Sequence, residues 1–137
     1  MKALVRPRYG GPEVLQLAMR ERPLPKPDEV LVRVQAAGVD YGQWHLMTGR
    51  PYAMRLATGL TRPRQPVLGM DLSGVVEAVG AAVTRFKAGD AVFGAASATY
   101  AEFSCVREDQ LCLKPGHLSF EQAAASAVSG VTALIAL

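Results

Sequence analysis

The chain has 137 residues and a mass of 14.6 kDa, a size that fits one domain and leaves little room for two. Half of the residues are hydrophobic, 20% are charged and the mean hydropathy is +0.14, so the composition supplies a packed core and excludes a disordered tail. The 15 basic and 12 acidic residues are mostly interleaved and give a net charge of +3, which argues against a nucleic-acid or membrane partner.

Short apolar runs bounded by Gly, Pro or Asp fill most of the chain, with a spacing typical of small all-β barrels. Pro23, Pro25 and Pro27 form an extended connector in this pattern, because proline cannot donate to a strand ladder. After the connector, Val30 and Val32 begin an alternation that is typical of a half-buried strand. Strands are predicted over residues 1–5, 15–19, 29–37, 68–79, 90–93, 99–106 and 111–114.

A long irregular segment, residues 40–66, separates the third predicted strand from the fourth, and residues 41–48 are predicted to form one or two helical turns. Loops of this length inside compact domains are more often functional than idle. Residues 50–70 contain no Asp or Glu, so their basic side chains either steer an anionic ligand or are solvated or contact a neighbouring subunit. These side chains are Arg50, Arg55, Arg62 and Arg64.

The character of the sequence changes after residue 116. Ser119 and Gln122 have the spacing of a capping box, which predicts a helix start, and residues 123–137 continue as an Ala-rich helix. We expect a barrel over residues 1–118 and a connecting helix over 119–137, in a chain that is cut or unusually short at this end. Because the helix lacks a packing layer, we also expect self-association through it, as a homo-oligomer.

Two cysteines are too few for a disulfide framework. Cys105 and Cys112 have no metal-ligand spacing and are interpreted as small buried hydrophobes in a reducing compartment. Residues 1–5 are followed at once by two arginines and a proline, unlike a signal peptide, and the apolar stretch 123–137 is shorter than the roughly 20 residues of a membrane span. The sequence therefore predicts a cytoplasmic protein.

Several stretches together resemble the medium-chain dehydrogenase/reductase superfamily, in their order and spacing. They are Gly38-Val39-Asp40, Trp44-His45-Leu46-Met47, and residues 66–80, 86–94, 118–125 and 131–134. The resemblance implies a mainly β, GroES-like barrel with short helices, the substrate-binding half of an NAD(P)-dependent oxidoreductase. In that family a Rossmann domain follows, but this chain has no GxGxxG phosphate loop, so we expect no cofactor to bind the chain alone.

The resemblance also indicates which branch of the superfamily applies. Asp40, Met70 and Asp71 stand where the zinc members carry a Cys and a His-Glu pair, and a thioether is a poor zinc donor. The four-Cys lobe is missing too, so the chain is interpreted as zinc-free. It is most similar to the quinone and enone reductases and to a bacterial, alcohol dehydrogenase-like branch that carries a Trp-His-Leu-Met stretch. The resemblance implies that NADPH delivers a hydride to a small carbonyl substrate: an enone, a quinone or an aldehyde.

Two residues are predicted from the resemblance to contact the cofactor. Asp40 would contact the nicotinamide or its ribose, or else it is a loop carboxylate that accepts hydrogen bonds from nearby backbone amides. Thr132 stands where relatives place a threonine near the nicotinamide carboxamide, or else its hydroxyl bonds to its own helix backbone.

Three residues on the loop that resembles the substrate lip are the catalytic candidates. Tyr41, His45 and Tyr52 carry groups that donate a hydrogen bond to a carbonyl oxygen and supply a proton. The alternative is that Trp44 and His45 pack the loop onto the barrel.

Two functions follow from these observations. The first is the substrate-binding domain of a zinc-independent NAD(P)H-dependent oxidoreductase, not catalytic alone. The alternative is a non-catalytic, stand-alone barrel that acts as a protein-interaction module. Whether the isolated chain is an enzyme is left open by the sequence.

Overall fold

The fold is built mainly from strands, in a computed structural model that describes all of residues 1–137. The strands are β1 (Lys2–Val5), β2 (Gln16–Met19), β3 (Glu29–Ala36), β4 (Asp71–Val79), β5 (Ala91–Ala95), β6 (Phe103–Arg107) and β7 (Leu111–Leu113). The helices are α1 (Tyr41–Thr48), the single turn α2 (Arg55–Thr58) and α3 (Phe120–Ala136). Short 3-10 turns occupy Pro12–Val14, Tyr52–Met54 and Glu108–Gln110.

The strands form two antiparallel sheets. Five of them lie in the order β6-β3-β4-β5-β7, and β1 pairs with β2 in a separate ribbon. Isolated bridges from Ala3 to Ala101 and from Val5 to Val67 attach the ribbon to the rest. The mainly β class agrees with the sequence prediction, although the hydrogen-bonded ladder does not close into one continuous barrel.

The core lies against the five-stranded sheet. Burial of β3 is more complete than the predicted half-buried strand, because Leu31 is buried as well as Val30 and Val32. Successive side chains of a strand point to opposite faces, so both faces of β3 are covered at this position. The main cluster comprises Val30, Val32, Leu72, Val76, Phe86, Val92, Val106 and Leu111.

Helix α3 begins as the sequence predicts. The Ser119 hydroxyl accepts a hydrogen bond from the amide of Gln122, and the Gln122 side chain accepts one from the Ser119 amide. The first half of α3 packs on β4 and β5 and buries Ala123, Ala124 and Ala127. Its second half is uncovered and exposes the apolar side chains of Val131, Leu134 and Ile135.

Two predicted strands begin three or more residues later than expected. β4 starts at Asp71 rather than residue 68 because Gly69 adopts φ +106° and its amide donates to a side chain, not to a neighbouring strand. β6 starts at Phe103 rather than residue 99, and only Ala101 of the intervening residues forms a bridge.

The burial predicted for the cysteines is wrong for Cys112, which is exposed, and only partly right for Cys105, which is half-buried. Cys112 lies on the three-residue edge strand β7, which has a neighbour on one side only. No helix of the structure is both long and apolar enough to cross a membrane.

Candidate cofactor cleft

Asp40 lies at the point where the chain leaves β3 and enters α1. Its carboxylate accepts a hydrogen bond from the Gln43 amide at 3.1 Å and so caps the first turn of the helix. The helix ends at Gly49, whose φ of +63° is the left-handed conformation that favours glycine at this position. These two local signals fix the two ends of α1. Because the cap uses Oδ1 of Asp40, the second carboxylate oxygen takes no part in it.

A cleft of about 490 Å³ separates the start of α1 from the second half of α3. Gly42 lies beside both Asp40 and Met70 in the lining of this cleft. A β-carbon at Gly42 would lie 2.9 Å from the Asp40 carboxylate and 3.5 Å from the Met70 sulfur. The residues that line the cleft are Asp40, Gly42, Met70, Val128, Ser129, Thr132, Ala133 and Ala136.

A buried carboxylate and a tyrosine hold the backbone just before Asp40. Asp71 accepts a hydrogen bond from the Gly38 amide at 2.7 Å, and the Tyr100 hydroxyl donates to the Gly38 carbonyl at 2.8 Å. Both polar groups of this glycine are therefore held by side chains, which positions Asp40 two residues later.

Burial raises the pKa of both of these side chains. It raises the pKa of Asp71, against the opposing hydrogen bond from Gly38, and the nearby Asp40 charge raises it further. Burial, together with the two carboxylates, raises the pKa of Tyr100 to about 12. Tyr100 therefore keeps its proton at neutral pH and remains a hydrogen-bond donor.

Gln43 joins α1 to the loop that carries Met70. Its side-chain carbonyl accepts a hydrogen bond from the Gly69 amide at 2.9 Å, whereas its side-chain nitrogen is buried without a partner. An L-residue at Gly69 would be strained by the positive φ and would collide with the Thr99 hydroxyl. This contact fixes one wall of the cleft relative to α1.

The structure brings together the two residues predicted to contact a cofactor. Asp40 and Thr132 line the same cleft from different elements, although they are far apart in sequence. The Thr132 hydroxyl donates to the Val128 carbonyl at 2.8 Å. This is the bond to its own helix backbone that was the alternative interpretation of this threonine. Because its hydrogen is used, the exposed lone pairs of this hydroxyl remain available as acceptors.

The three predicted catalytic residues lie outside this cleft. Tyr41 stacks on Trp44 with ring centroids 5.6 Å apart, and both rings are exposed to solvent. Tyr52 is also exposed, with the guanidinium groups of Arg50 and Arg55 at 5.8 and 4.9 Å from its ring. Their catalytic roles stay predictions.

His45 has a defined tautomer. Its Nδ1 lies 2.8 Å from the carbonyl oxygen of Arg50, and since a carbonyl only accepts, Nδ1 carries the hydrogen. The Nε2 atom of the neutral ring is then an acceptor, so His45 supplies a proton from Nε2 only in its charged form. The ring packs edge-on against Tyr41 at 5.0 Å, a contact within α1 that leaves the packing of this loop onto the barrel a prediction.

Sequence reasoning missed Tyr100, Gln43 and Ser129 as parts of this region. Tyr100 lies in what looked like an ordinary strand, and Gln43 in a short helix, so neither had a sequence signal beyond its polarity. Ser129 precedes Thr132 by three residues, and this helical spacing is the signal that could have placed both on one face.

The positions that correspond, by the sequence resemblance, to zinc ligands are arranged differently here. The structure contains no group of three or more His, Cys, Asp or Glu residues that could hold a metal ion. Asp71 is instead directed to the Gly38 amide, and Met70 offers only a thioether.

Comparison with known proteins identifies the family. Residues 26–133 match the alcohol dehydrogenase GroES-like domain. This chain belongs to that family. The GroES-like fold implied by the sequence is thereby confirmed, although the hydrogen-bonded strands do not close into one continuous barrel.

Several of the similar proteins are quinone oxidoreductases. The enzyme of Sus scrofa is 37% identical over 95% of this chain and 38% of its own length. The structure of the quinone oxidoreductase from Coxiella burnetii matches with a TM-score of 0.89 and 34% identity, over 100% of this chain and 44% of that one. The Escherichia coli enzyme complexed with NADPH matches with a TM-score of 0.86 and 31% identity, over 100% of this chain and 40% of that one.

These matches place the chain in the quinone reductase branch of the medium-chain dehydrogenase/reductase superfamily, as the sequence resemblance indicated. The chain spans about two fifths of the length of these relatives. Since they are oxidoreductases, they give no support to the alternative of a non-catalytic interaction module.

Proposed function

We propose that this chain is the substrate-binding domain of a zinc-independent, NADPH-dependent reductase that acts on quinones or related conjugated carbonyl compounds. The cleft between α1 and α3, which Asp40 and Thr132 share, is the observation that carries the proposal. When bound, NADPH supplies the hydride. The division into a barrel over residues 1–118 and a connecting helix over 119–137 belongs to the same proposal, and so does a cytoplasmic location.

The polar groups of the cleft suit the carboxamide of a nicotinamide ring. The free oxygen of Asp40 and the lone pairs of Thr132 are acceptors for the two hydrogens of an amide nitrogen. The Ser129 hydroxyl makes no hydrogen bond within the protein and is free to donate to the amide oxygen. Because these groups lie on fixed elements, they would orient the ring without rearrangement.

The carboxylate of Asp40 gives the cleft a negative charge. The oxidised nicotinamide ring is positively charged and the reduced ring is neutral, so Asp40 would favour the oxidised cofactor in the bound state. His45 and Tyr52 are retained as the proton donors to the substrate, with Tyr41 packed against His45, on a lip outside the cofactor cleft.

The test is NADPH oxidation by the whole protein with a quinone acceptor, followed at the nicotinamide absorbance. Thr132→Val removes the acceptor oxygen and is expected to raise the KM for NADPH. Thr48→Val is the matched control, because Thr48 also donates to its own helix, at 2.8 Å, but lies outside the cleft. Equal effects of the two variants, or no quinone-dependent oxidation by the unmodified protein, would contradict the proposal.

The isolated 137-residue chain allows a second test of the proposed function. Since it has no glycine-rich phosphate loop, we expect no saturable change in NADPH fluorescence on adding the chain. Saturable binding would show that the residues of this chain complete a cofactor site by themselves.

A further inference from the structure

Arg6 is a buried cation without an acidic partner. It follows β1 directly and only 3% of its surface is exposed. One terminal nitrogen donates to the Leu46 carbonyl, and the guanidinium carbon lies 5.2 Å from the centre of the Tyr9 ring. The Nε–H group is buried and has no hydrogen-bond partner. None of the ion pairs of the protein includes this arginine.

Such an arrangement is unusual in a folded protein. Arginine is almost never fully buried unless it is paired, because the charge loses its hydration. Burial accordingly lowers the pKa of the Arg6 guanidinium. An unsatisfied buried donor adds a further cost, so the site favours any group that brings a negative charge and an acceptor.

A cavity of about 250 Å³, here called the Arg6 cavity, is bordered by this arginine. Its polar lining comes from Arg6, Arg64, Thr58, Gln65 and Ser97, and no Asp or Glu borders it. The remaining lining is mostly apolar. Met70 borders both the Arg6 cavity and the cleft with Asp40 and Thr132, so the two spaces adjoin.

We propose that the Arg6 cavity binds a carboxylate group carried by the substrate, an inference that rests on the proposed reductase function. The planar guanidinium matches the geometry of a carboxylate, which has two acceptor oxygens. A single negative charge balances the buried guanidinium of Arg6, and in this mostly apolar cavity a carboxylate loses less hydration than a phosphate dianion. The apolar side chains of Leu46, Val67 and Met70 suit the hydrocarbon that links the carboxylate to the reacting carbonyl.

The first experiment measures binding without NADPH or quinone. The ¹⁵N-labelled protein is titrated with hexanoate at constant ionic strength, and the Arg6 Nε–H resonance is followed. We expect a saturable shift with hexanoate and none with hexanamide or inorganic phosphate. No shift with hexanoate, or an equal shift with either of the other compounds, would overturn the proposal.

Two variants separate the site from general charge effects. Arg6→Met is expected to weaken hexanoate binding by about tenfold or more. Arg8→Met removes the same charge two residues away, at an exposed position outside the cavity, and should leave the affinity unchanged. Should Arg6→Met fail to fold, the exposed Arg64→Met variant replaces it, and a several-fold weaker affinity is expected. Unchanged affinity in Arg6→Met, or in Arg64→Met where Arg6→Met does not fold, would refute the site.

The second experiment distinguishes this inference from the proposed function. The kcat/KM of the whole protein is compared for a quinone with a carboxyalkyl side chain and for its amide. We expect preference for the carboxylate, lost in Arg6→Met and kept in Arg8→Met. An active reductase with no such preference contradicts only the carboxylate site, whereas hexanoate binding without reductase activity contradicts the function and removes the basis for calling the ligand a substrate.

Discussion

The carboxylate of Asp71 holds the amide of Gly38 at 2.7 Å and so ties the start of β4 to the end of β3, beside the cleft. Gly38 is required at this point because a β-carbon there would lie 2.7 Å from both Asp71 oxygens. In this chain, therefore, a buried carboxylate positions the backbone that leads to Asp40.

Stability should depend on pH through Asp71. Burial raises its pKa in the folded state above the ordinary value of 3.8, so the stabilising contribution is complete below that value and is lost as the pH rises through the folded pKa. We expect Asp71→Asn to become more stable relative to the unmodified protein as the pH rises across this window. Urea unfolding at several pH values checks this, with the exposed Asp28→Asn as control. If the free energies of unfolding of Asp71→Asn and the unmodified protein differ by the same amount at every pH, the raised pKa of Asp71 is contradicted.

The charge of Asp40 should set the preference between the two redox states of the cofactor. In Asp40→Asn of the whole protein, we expect the affinity ratio of NADP⁺ to NADPH to fall several-fold, since a partly screened charge contact is worth about 1 kcal/mol. Fluorescence titration measures both affinities. Asp109→Asn, at an exposed surface position, serves as control, and an unchanged ratio in Asp40→Asn would refute this role.

Adding a methyl group at Gly42 should disturb the cleft without unfolding the chain. The β-carbon of Gly42→Ala would crowd the Asp40 carboxylate at 2.9 Å, so the KM for NADPH is expected to rise. Gly130→Ala, on α3 with open space around it, is the matched control and should only stabilise the helix, by up to about 1 kcal/mol. Thermal unfolding separates stability from binding. A cofactor effect of equal size in both variants would contradict the geometry.

The uncovered end of α3 should drive self-association of the isolated chain. Leu134 and Ile135 are 74% and 80% exposed on a helix whose first half is packed. Leu134→Glu is expected to shift the sedimentation profile toward monomer, because it places a charge in the apolar contact. Leu24→Glu changes an equally exposed leucine, 86% accessible on the proline connector, and should have no effect. A monomeric profile of the unmodified chain at high concentration would contradict the prediction.

Local signals predicted most elements of the fold. The alternation after the proline connector, the Ser119 capping box and the helix that begins at Tyr41 all appear within a few residues of their predicted positions. The errors lie where tertiary contacts override local pattern. Gly69 leaves the strand ladder because Gln43 captures its amide, and Leu31 is buried because β3 is covered on both faces at that position.

The sequence by itself determined the pattern of strands, the helix caps, the poor zinc-ligand set and the family, because each depends on residue identity and short spacing. Only the tertiary structure decided which polar side chains share a space. Asp40 and Thr132 meet across one cleft, whereas Tyr41, His45 and Tyr52, equally polar and closer to Asp40 in sequence, do not line it. Likewise, Arg6 looks like an ordinary surface arginine in the sequence, and only the packing of β1 against the 46–70 segment shows that it is buried. Burial and convergence depend on contacts between residues far apart in the chain, and no local pattern encodes them.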